Sequence, residues 1–203
     1  KPATVTHLWR WPVKGLGGER LQQVDTQVGQ LFPYDRAIAL ENGPSDFDAA
    51  KPVHVPKRQF VCMVHQPQTG RLSASFNEAA NTLNIQTLDG RTAEINPADP
   101  SALETLAEEL VDHGVRGRLK LRFPEATDTG HGFTDVPDRW ISIQNLASIQ
   151  QLEEAAGISL DPRRFRANIL VESWGAFEEE SWVGKTLLIG GARCLVAEPV
   201  YRC

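Results

Sequence analysis

The sequence predicts a mainly β, α+β protein, an antiparallel barrel or sandwich with two main helices. Three observations support this prediction. Short runs of alternating apolar and polar residues recur along the chain. Turn residues separate these runs at short intervals, as in antiparallel barrels and sandwiches. Only two long segments combine a helical period with capping signals.

The first half of the chain is predicted to be almost entirely strand and turn. The opening stretch, "ATVTHLWRWPVKGLGG", alternates from Val5 to Trp11 and then enters a loop from Pro12 to Gly18. Further short strands are indicated by "LFPYDRAIAL", "QFVCMVHQ", "RLSASF", "TLNIQTLDG" and "TAEIN". Their close spacing favours an antiparallel arrangement.

The first helix is predicted within "PSALETLAEELVDHG". Ser101 and Glu104 have the spacing of a capping box, in which the serine is the N-cap. Gly114 is a suitable residue to end the helix. The predicted buried face consists of Leu103, Leu106, Leu110 and Val111.

The second half is predicted to begin after Pro124, where a turn-rich segment divides the chain into domains 1–124 and 125–203. In "ISIQNLASIQQLEEAAG" a short strand leads into the second helix, with Asn145 as N-cap and Gly157 at its end. The stretch "KTLLIGGARCLVAEP" predicts a hairpin that turns at its two adjacent glycines.

The composition argues against several classes of partner and site. The net charge of −5 includes no long block of one sign, so no basic surface for nucleic acid is indicated. No apolar run approaches the roughly 20 residues of a membrane span. No signal-peptide pattern is present. The chain has no C-x-x-C pair among its three cysteines, Cys62, Cys194 and Cys203. This argues against structural zinc and against a disulfide scaffold. A cytoplasmic location is therefore expected.

Two features of the second half favour an anionic ligand. In "RRFRANILVES" a predicted strand places Arg164, Arg166 and Asn168 on one face, and such groups bind phosphate or carboxylate. The second helix offers unpaired backbone N–H groups in its first turn, beside the side chains of Asn145 and Ser148. The alternatives are a solvated strand face and a helix cap without a ligand.

Two features of the first half favour the same chemistry. Lys14 precedes Gly15 in a glycine-rich loop, where the backbone can approach a ligand closely. Asp35 and Arg36 lie at the mouth of a predicted strand. The alternatives are a solvated lysine and an Asp–Arg ion pair without a ligand.

Cys203 is the thiol with the strongest chemical signal. It follows Arg202, and an adjacent cation favours the thiolate, the form that attacks or binds a soft metal. Cys62 and Cys194 lie in apolar stretches and are interpreted as small buried hydrophobic residues. A thiol without a function is the alternative interpretation of Cys203.

Six stretches, taken together and in order, resemble MOSC-domain proteins: "WPVKGLGGERL", "LFPYDRAIAL", "FTDVPDRWISIQNLASIQQL", "RFRANILVE", "FEEESWVGKTLLIGGARCLV" and "PVYRC". That family includes the C-terminal domain of molybdenum cofactor sulfurase and the mitochondrial amidoxime-reducing component. The resemblance spans almost the whole chain. Its first half is similar to the family's N-terminal β-barrel domain, and the remainder is similar to the MOSC domain itself.

The resemblance implies a molybdenum cofactor, molybdopterin, whose metal is ligated by Cys203. The cofactor-binding positions that it implies are Lys14, Gly15, Arg36, Asn145, Ser148, Arg166, Asn168 and Tyr201. The chain departs from the family at Gly15, where a serine is common, and at Tyr201, where relatives have a small polar residue. Relatives continue for several dozen residues after the cysteine, so we expect the chain to be a MOSC protein truncated at Cys203.

The activity implied by the resemblance is that of a molybdenum-dependent oxidoreductase that reduces N-hydroxylated or N-oxide compounds. Its substrate would be a small molecule, and a separate reductase would supply electrons because no flavin or iron–sulfur motif is present. Two alternatives stay open. One is a sulfur carrier or transferase that uses a persulfide on Cys203, and the other is a non-catalytic module that binds the cofactor.

Overall fold

Eleven short strands in four sheets and two α-helices make up this protein, as seen in a computed structural model that describes residues 2–117, 119–124 and 130–200. The prediction of a mainly β, α+β fold is confirmed. The sheets contain two to four strands and are open within these ranges, so the described residues do not form the closed barrels that the sequence predicts. Short, twisted strands occur both in open sheets and in closed barrels. The pairing of the strands, and not the number of residues in strands, decides between the two.

The strands and helices have the following bounds. The strands are β1 Thr4–Arg10, β2 Glu19–Leu21, β3 Ala39–Asn42, β4 Ser73–Asn77, β5 Thr82–Gln86, β6 Thr92–Ile95, β7 Leu119–Arg122, β8 Ile143–Asn145, β9 Ile169–Glu172, β10 Thr186–Ile189 and β11 Ala192–Leu195. The helices are α1 Pro100–Asp112 and α2 Leu146–Ala156. Within the described part of the chain, no helix has both the length and the apolar character needed to cross a membrane.

Two compact units, each made of non-contiguous segments, form the structure. The terminal unit comprises Lys1–Trp9, Arg20–Thr26 and Ile141–Cys203, and the central unit comprises Arg10–Glu19 and Gln27–Trp140. The predicted domain boundary near residue 124 stays a prediction.

A three-stranded antiparallel sheet, β4–β5–β6, supplies much of the core of the central unit. Alternation along β4 and β5 buries one face of the sheet, which carries Ala74, Phe76, Leu83 and Ile85. Helix α1 packs Leu106 and Leu110 into the same cluster. Strands β3 and β7 form a separate antiparallel pair, whose Leu40 and Leu121 also join this core.

Helix α1 begins two residues earlier than the sequence predicts. Its N-cap is Asp99, whose side chain accepts hydrogen bonds from the backbone N–H groups of Ser101 and Ala102. The prediction of Ser101 as N-cap was therefore wrong, because Pro100 has no N–H and fits the first helical position. The predicted buried face also needs one correction, since Val111 is 45% exposed and Ala107 is buried instead.

The sheet of the terminal unit has the strand order β2–β1–β9–β8. Strand β9 pairs antiparallel with β1 and parallel with β8, and the parallel pair is connected by helix α2. The predicted ends of α2 are confirmed. Asn145 is the N-cap and accepts from the Ala147 N–H at 3.2 Å, and Gly157 ends the helix with a φ of 67°.

The predicted strand through "RRFRAN" is absent, and this prediction was wrong. A 3₁₀ turn spans Pro162–Phe165, and Asp161 caps it by accepting from the Arg163 N–H. Arg166 then takes a left-handed conformation with a φ of 54°. Strand β9 begins only at Ile169. The proline at the start of the turn and the aspartate cap outweigh the alternating pattern.

The predicted hairpin is confirmed as β10 and β11, which turn at Gly190 and Gly191. Its two faces differ in exposure. Leu188 and Leu195 on the outer face are 77% and 68% exposed, whereas Leu187 on the other face is half-buried.

Candidate functional site

Lys14 lies in a buried stretch of the central unit rather than in a solvated loop. Only 5% of the residue is exposed, and its backbone N–H donates to the Ile38 carbonyl at 2.8 Å. The ammonium group donates to the carbonyl oxygen of Phe133 at 2.8 Å and to Asp135 Oδ1 at 2.6 Å. The charge of Lys14 is thus compensated by an acidic residue 121 positions later in the chain.

Asp135 joins two lysines. Besides Lys14, it accepts from the Lys57 ammonium at 3.5 Å, and its side chain is 54% exposed. Burial alone would raise the pKa of Asp135. The charge and hydrogen bond of Lys14, helped by Lys57, outweigh burial and hold the pKa of Asp135 below its ordinary value. The carboxylate therefore stays ionised at neutral pH.

This ion pair should make the free energy of unfolding depend on pH in the acid range. The pKa of Asp135 is lower in the folded than in the unfolded chain. The contribution of Asp135 to the free energy of unfolding is therefore complete above the pKa of the unfolded chain, about 4, and it is lost as the pH falls through the pKa of the folded chain. We expect Asp135→Asn to lower the urea midpoint at pH 7, and the gap from wild type to close below about pH 4. Urea titrations from pH 7 to pH 2 measure both. Asp138→Asn, an exposed position in the same loop, is the control; a gap that persists undiminished at pH 2 contradicts the assignment.

The glycines after Lys14 pack against the protein's own backbone. A Cβ on Gly15 would lie 2.6 Å from the Val61 carbonyl oxygen, and one on Gly17 would lie 2.6 Å from that of Leu72. Gly15 also has a φ of +83°. These close approaches explain why position 15 carries glycine where a serine is common in the family that the chain resembles.

Arg36 lies beside Lys14 in the central unit. Its backbone N–H donates to the Trp11 carbonyl at 2.7 Å, and its guanidinium forms an ion pair with Asp35. Asp35 is 4% exposed and also accepts from the Trp11 N–H at 2.8 Å. The Phe133 N–H donates to the Arg36 carbonyl at 2.8 Å, while the Phe133 carbonyl accepts from the Lys14 ammonium. Phe133 therefore contacts the Lys14 ammonium through its carbonyl and the Arg36 backbone through its N–H, while the Arg36 guanidinium itself pairs with Asp35.

In the terminal unit, Asn145 and Ser148 lie together at the first turn of α2. Asn145 is fully buried and Ser148 is 4% exposed. The Asn145 amide donates to the Gly175 carbonyl at 2.7 Å and to Glu179 Oε2 at 3.0 Å. The Ser148 hydroxyl donates to Glu179 Oε1 at 2.5 Å and accepts from the Phe177 N–H at 2.8 Å. The predicted anion donors thus bind a carboxylate of their own unit.

Asn168 joins strands of the terminal unit. It is 1% exposed, and its Oδ1 accepts from the backbone N–H and the hydroxyl of Ser142 at 3.1 and 2.9 Å. Its amide group donates to the Trp9 carbonyl at 3.3 Å. Arg166, two residues earlier, is half-buried and follows the 3₁₀ turn instead of sharing a strand face with Asn168.

Cys203 and Tyr201, the predicted metal ligand and its neighbour, lie outside the described residues. Within the described ranges, no group of three or more His, Cys, Asp and Glu side chains could hold a metal ion. Cys194 lies in a strand, β11, as predicted, whereas Cys62 lies in an irregular segment, so the prediction of a strand there was wrong; both thiols are half-buried, where the sequence predicts buried ones.

Sequence reasoning missed two acidic residues, Asp135 and Glu179. Nothing in the local pattern links Asp135 to Lys14 or Glu179 to Ser148. The acidic run "FEEESW" is typical of a solvated surface, and alternate glutamates in it are in fact exposed. A signal available beforehand was the phenylalanine before the run and the tryptophan after it, which favour a packed loop.

A family model described as MOSC domain matches residues 128–203. This range contains Phe133 and Asp135, α2, Glu179 and Cys203. No curated protein matches the chain.

Proposed function

Because residues 128–203 constitute a MOSC domain, a molybdenum-cofactor sulfurase-like domain, we propose that this chain binds a molybdenum cofactor through Cys203. The observation that carries the proposal is the match itself, which includes the "PVYRC" stretch. Arg202 next to the thiol favours the thiolate, and a thiolate is a suitable ligand for a soft metal.

The donors of the central unit fit an anionic group. Lys14 and Arg36 each pair with a carboxylate, Asp135 and Asp35, so a phosphate would have to displace these partners or bind in addition to them; the Asp135 side chain is 54% exposed and is open to such exchange. Lys14 also contacts Phe133 and Asp135, which lie inside the matched range. On the family resemblance, we propose Lys14 and Arg36 of the central unit as the cations for the cofactor's phosphate. Gly15 and Tyr201 keep the supporting positions that the family resemblance implies.

Binding of the cofactor's phosphate is a poorer fit for three other residues, Asn145, Ser148 and Asn168. Both Nδ2 hydrogens of Asn145 and the hydroxyl hydrogen of Ser148 are already donated within the terminal unit. Asn168 has one amide hydrogen beyond the bond to Trp9. We assign these three residues to the framework of the MOSC domain.

The activity that we propose is reduction of N-hydroxylated or N-oxide compounds. When bound, the cofactor supplies two-electron oxygen-atom transfer at the metal. Reduction of one N–OH or N-oxide group consumes two electrons and two protons and releases water, so a separate electron donor is required. No acid–base pair of the chain is assigned to the reaction. Within the proposal, Cys203 holds the metal, and the cations neutralise the phosphate.

Metal analysis tests the proposal directly. We expect the full chain, produced in cells that make the cofactor, to contain about one molybdenum per chain by mass spectrometry, and Cys203→Ala to lose at least tenfold. Cys194→Ala is the matched control and should retain the metal. Reduction of benzamidoxime by reduced methyl viologen should follow the molybdenum content.

Two outcomes would contradict the proposal. Absence of molybdenum together with cyanide-labile sulfur on Cys203 would identify a persulfide carrier instead of a metal enzyme. Molybdenum at full occupancy without reduction of any N-hydroxylated compound would support cofactor binding and exclude the proposed activity.

A further inference from the structure

We infer that Glu179 is a positioning residue that fixes the loop between β9 and β10 onto helix α2, and that Asn145 and Ser148 serve this contact instead of binding the cofactor. The inference rests on the proposed function only where it concerns the cofactor. We call the contact the Glu179 latch; it consists of Asn145, Ser148, Glu179 and the backbone of Gly175 and Phe177.

The donor hydrogens of Asn145 and Ser148 are all used in the latch. Asn145 accepts at Oδ1 from Ala147 and donates both amide hydrogens, to Gly175 and Glu179. Ser148 donates its one hydrogen to Glu179 and accepts from Phe177. Since both side chains are almost completely buried, an external anion could reach them only after Glu179 moves away.

The carboxylate sits where a negative charge is stabilised. Glu179 Oε1 and Oε2 each accept one hydrogen bond from residues of the first turn or the cap of α2. The N-terminus of a helix carries a partial positive charge, so a carboxylate there is favoured. Hydrogen bonds to an ionised acceptor are stronger than those between neutral groups.

The latch orders the loop beyond Glu179 itself. The Gly175 N–H donates to Glu178 Oε2 at 3.0 Å, and Phe177 has a left-handed φ of 58°. The rings of Trp174 and Trp182 pack edge to face with centroids 4.0 Å apart. Trp182 is 6% exposed. Glu179 joins this loop to the N-cap and first turn of α2 by two hydrogen bonds.

A direct cofactor contact and the latch predict opposite behaviour for two variants. If Ser148 binds the cofactor's phosphate, then Ser148→Ala should lose molybdenum, whereas Glu179→Ala should retain it because a competing carboxylate is gone. If the latch is correct, the two variants release the same loop. Their molybdenum contents should then change to the same extent, and the double variant should resemble either single one.

Hydrogen exchange of the full chain gives a readout that does not require the cofactor. We expect the amides of Phe177 and its neighbours to exchange roughly 10- to 100-fold faster in Ser148→Ala and in Glu179→Ala, because a bond to an ionised group is lost. The amides of β4 and β5 in the central unit should not change. Glu180→Ala, an exposed glutamate next to the latch, is the matched control and should exchange like wild type.

The outcomes separate the latch from the proposed function. Unchanged loop exchange in both variants, or loss of molybdenum in Ser148→Ala alone, overturns the latch. Wild-type protein without molybdenum contradicts the proposed function but leaves the exchange test valid. If Ser148→Ala does not fold, Glu179→Gln replaces it, because its amide would place a donor against Asn145 while preserving the shape of the side chain.

Discussion

Replacing Gly15 by alanine should lower the free energy of unfolding by about 2–5 kcal/mol, one of the two largest changes in stability that we expect in this protein. Two penalties combine. The φ of +83° is unfavourable for any residue with a Cβ, and that Cβ would lie 2.6 Å from the carbonyl oxygen of Val61. The three nearest atoms all belong to the backbone of Val61 and Cys62, which leaves little room to adjust.

Gly90 provides a matched control for this prediction. Its φ is +84°, nearly that of Gly15, but a Cβ there would meet nothing within 4 Å. Gly90→Ala should therefore show only the conformational penalty, about 1 kcal/mol. Urea unfolding of both variants measures the difference. Equal effects would mean that Gly15 is not packed against the Val61 backbone.

Replacing Arg10 by methionine should lower the free energy of unfolding by about 3–5 kcal/mol, since it breaks a buried ion pair. Arg10 is 2% exposed. Its guanidinium donates to Glu19 at 2.8 Å, to Glu78 at 2.5 Å and to the Phe76 carbonyl at 2.6 Å. Methionine fills part of the volume but leaves the partly buried Glu19 carboxylate without its cation.

An exposed ion pair is the control for Arg10. Arg91 donates to Asp89 at 2.7 Å, a similar distance, but its side chain is 64% exposed. Arg91→Met should leave the urea midpoint close to wild type, because exposed pairs are solvated in both states. Equal losses for Arg10→Met and Arg91→Met would show that burial does not determine the effect.

Elements whose ends are set by local chemistry could be predicted from the sequence. Asn145 caps α2, Gly157 ends it, and a glycine pair at Gly190 turns the last hairpin. Each of these residues acts on backbone within a few positions, so its effect is visible in a short stretch. At α1 the capping-box spacing predicts Ser101 as the N-cap, whereas Pro100 occupies the first helical position and Asp99 is the cap.

The segment before β9 could not be predicted from periodicity. Alternation of apolar and polar residues in "RRFRAN" is the pattern of a strand. Asp161 and Pro162 instead start a 3₁₀ turn, and the positive φ of Arg166 breaks any strand face shared with Asn168. The predicted row of two arginines and an amide therefore does not exist as a surface.

For the candidate site, residue types were predictable but their partners were not. Lys14 and Ser148 were singled out as donors to an anion, and each does donate to one. Those anions are Asp135 and Glu179, which are 121 and 31 positions away. Only the tertiary fold reveals such pairs. A sequence shows which groups can hold a negative charge, whereas the fold decides whether the protein already supplies it.

The interleaved segments of the terminal unit have a consequence for synthesis on the ribosome. Thr4 of β1 pairs with Glu172 of β9. At roughly 5–20 residues per second, β1 would wait roughly 10–30 s for its partner after it is made. The strands β4, β5 and β6 and helix α1 are all translated during that interval. The strands β4 to β6 and helix α1 are therefore translated before β9, and until β9 is made β1 has only β2 as a neighbour from its own sheet.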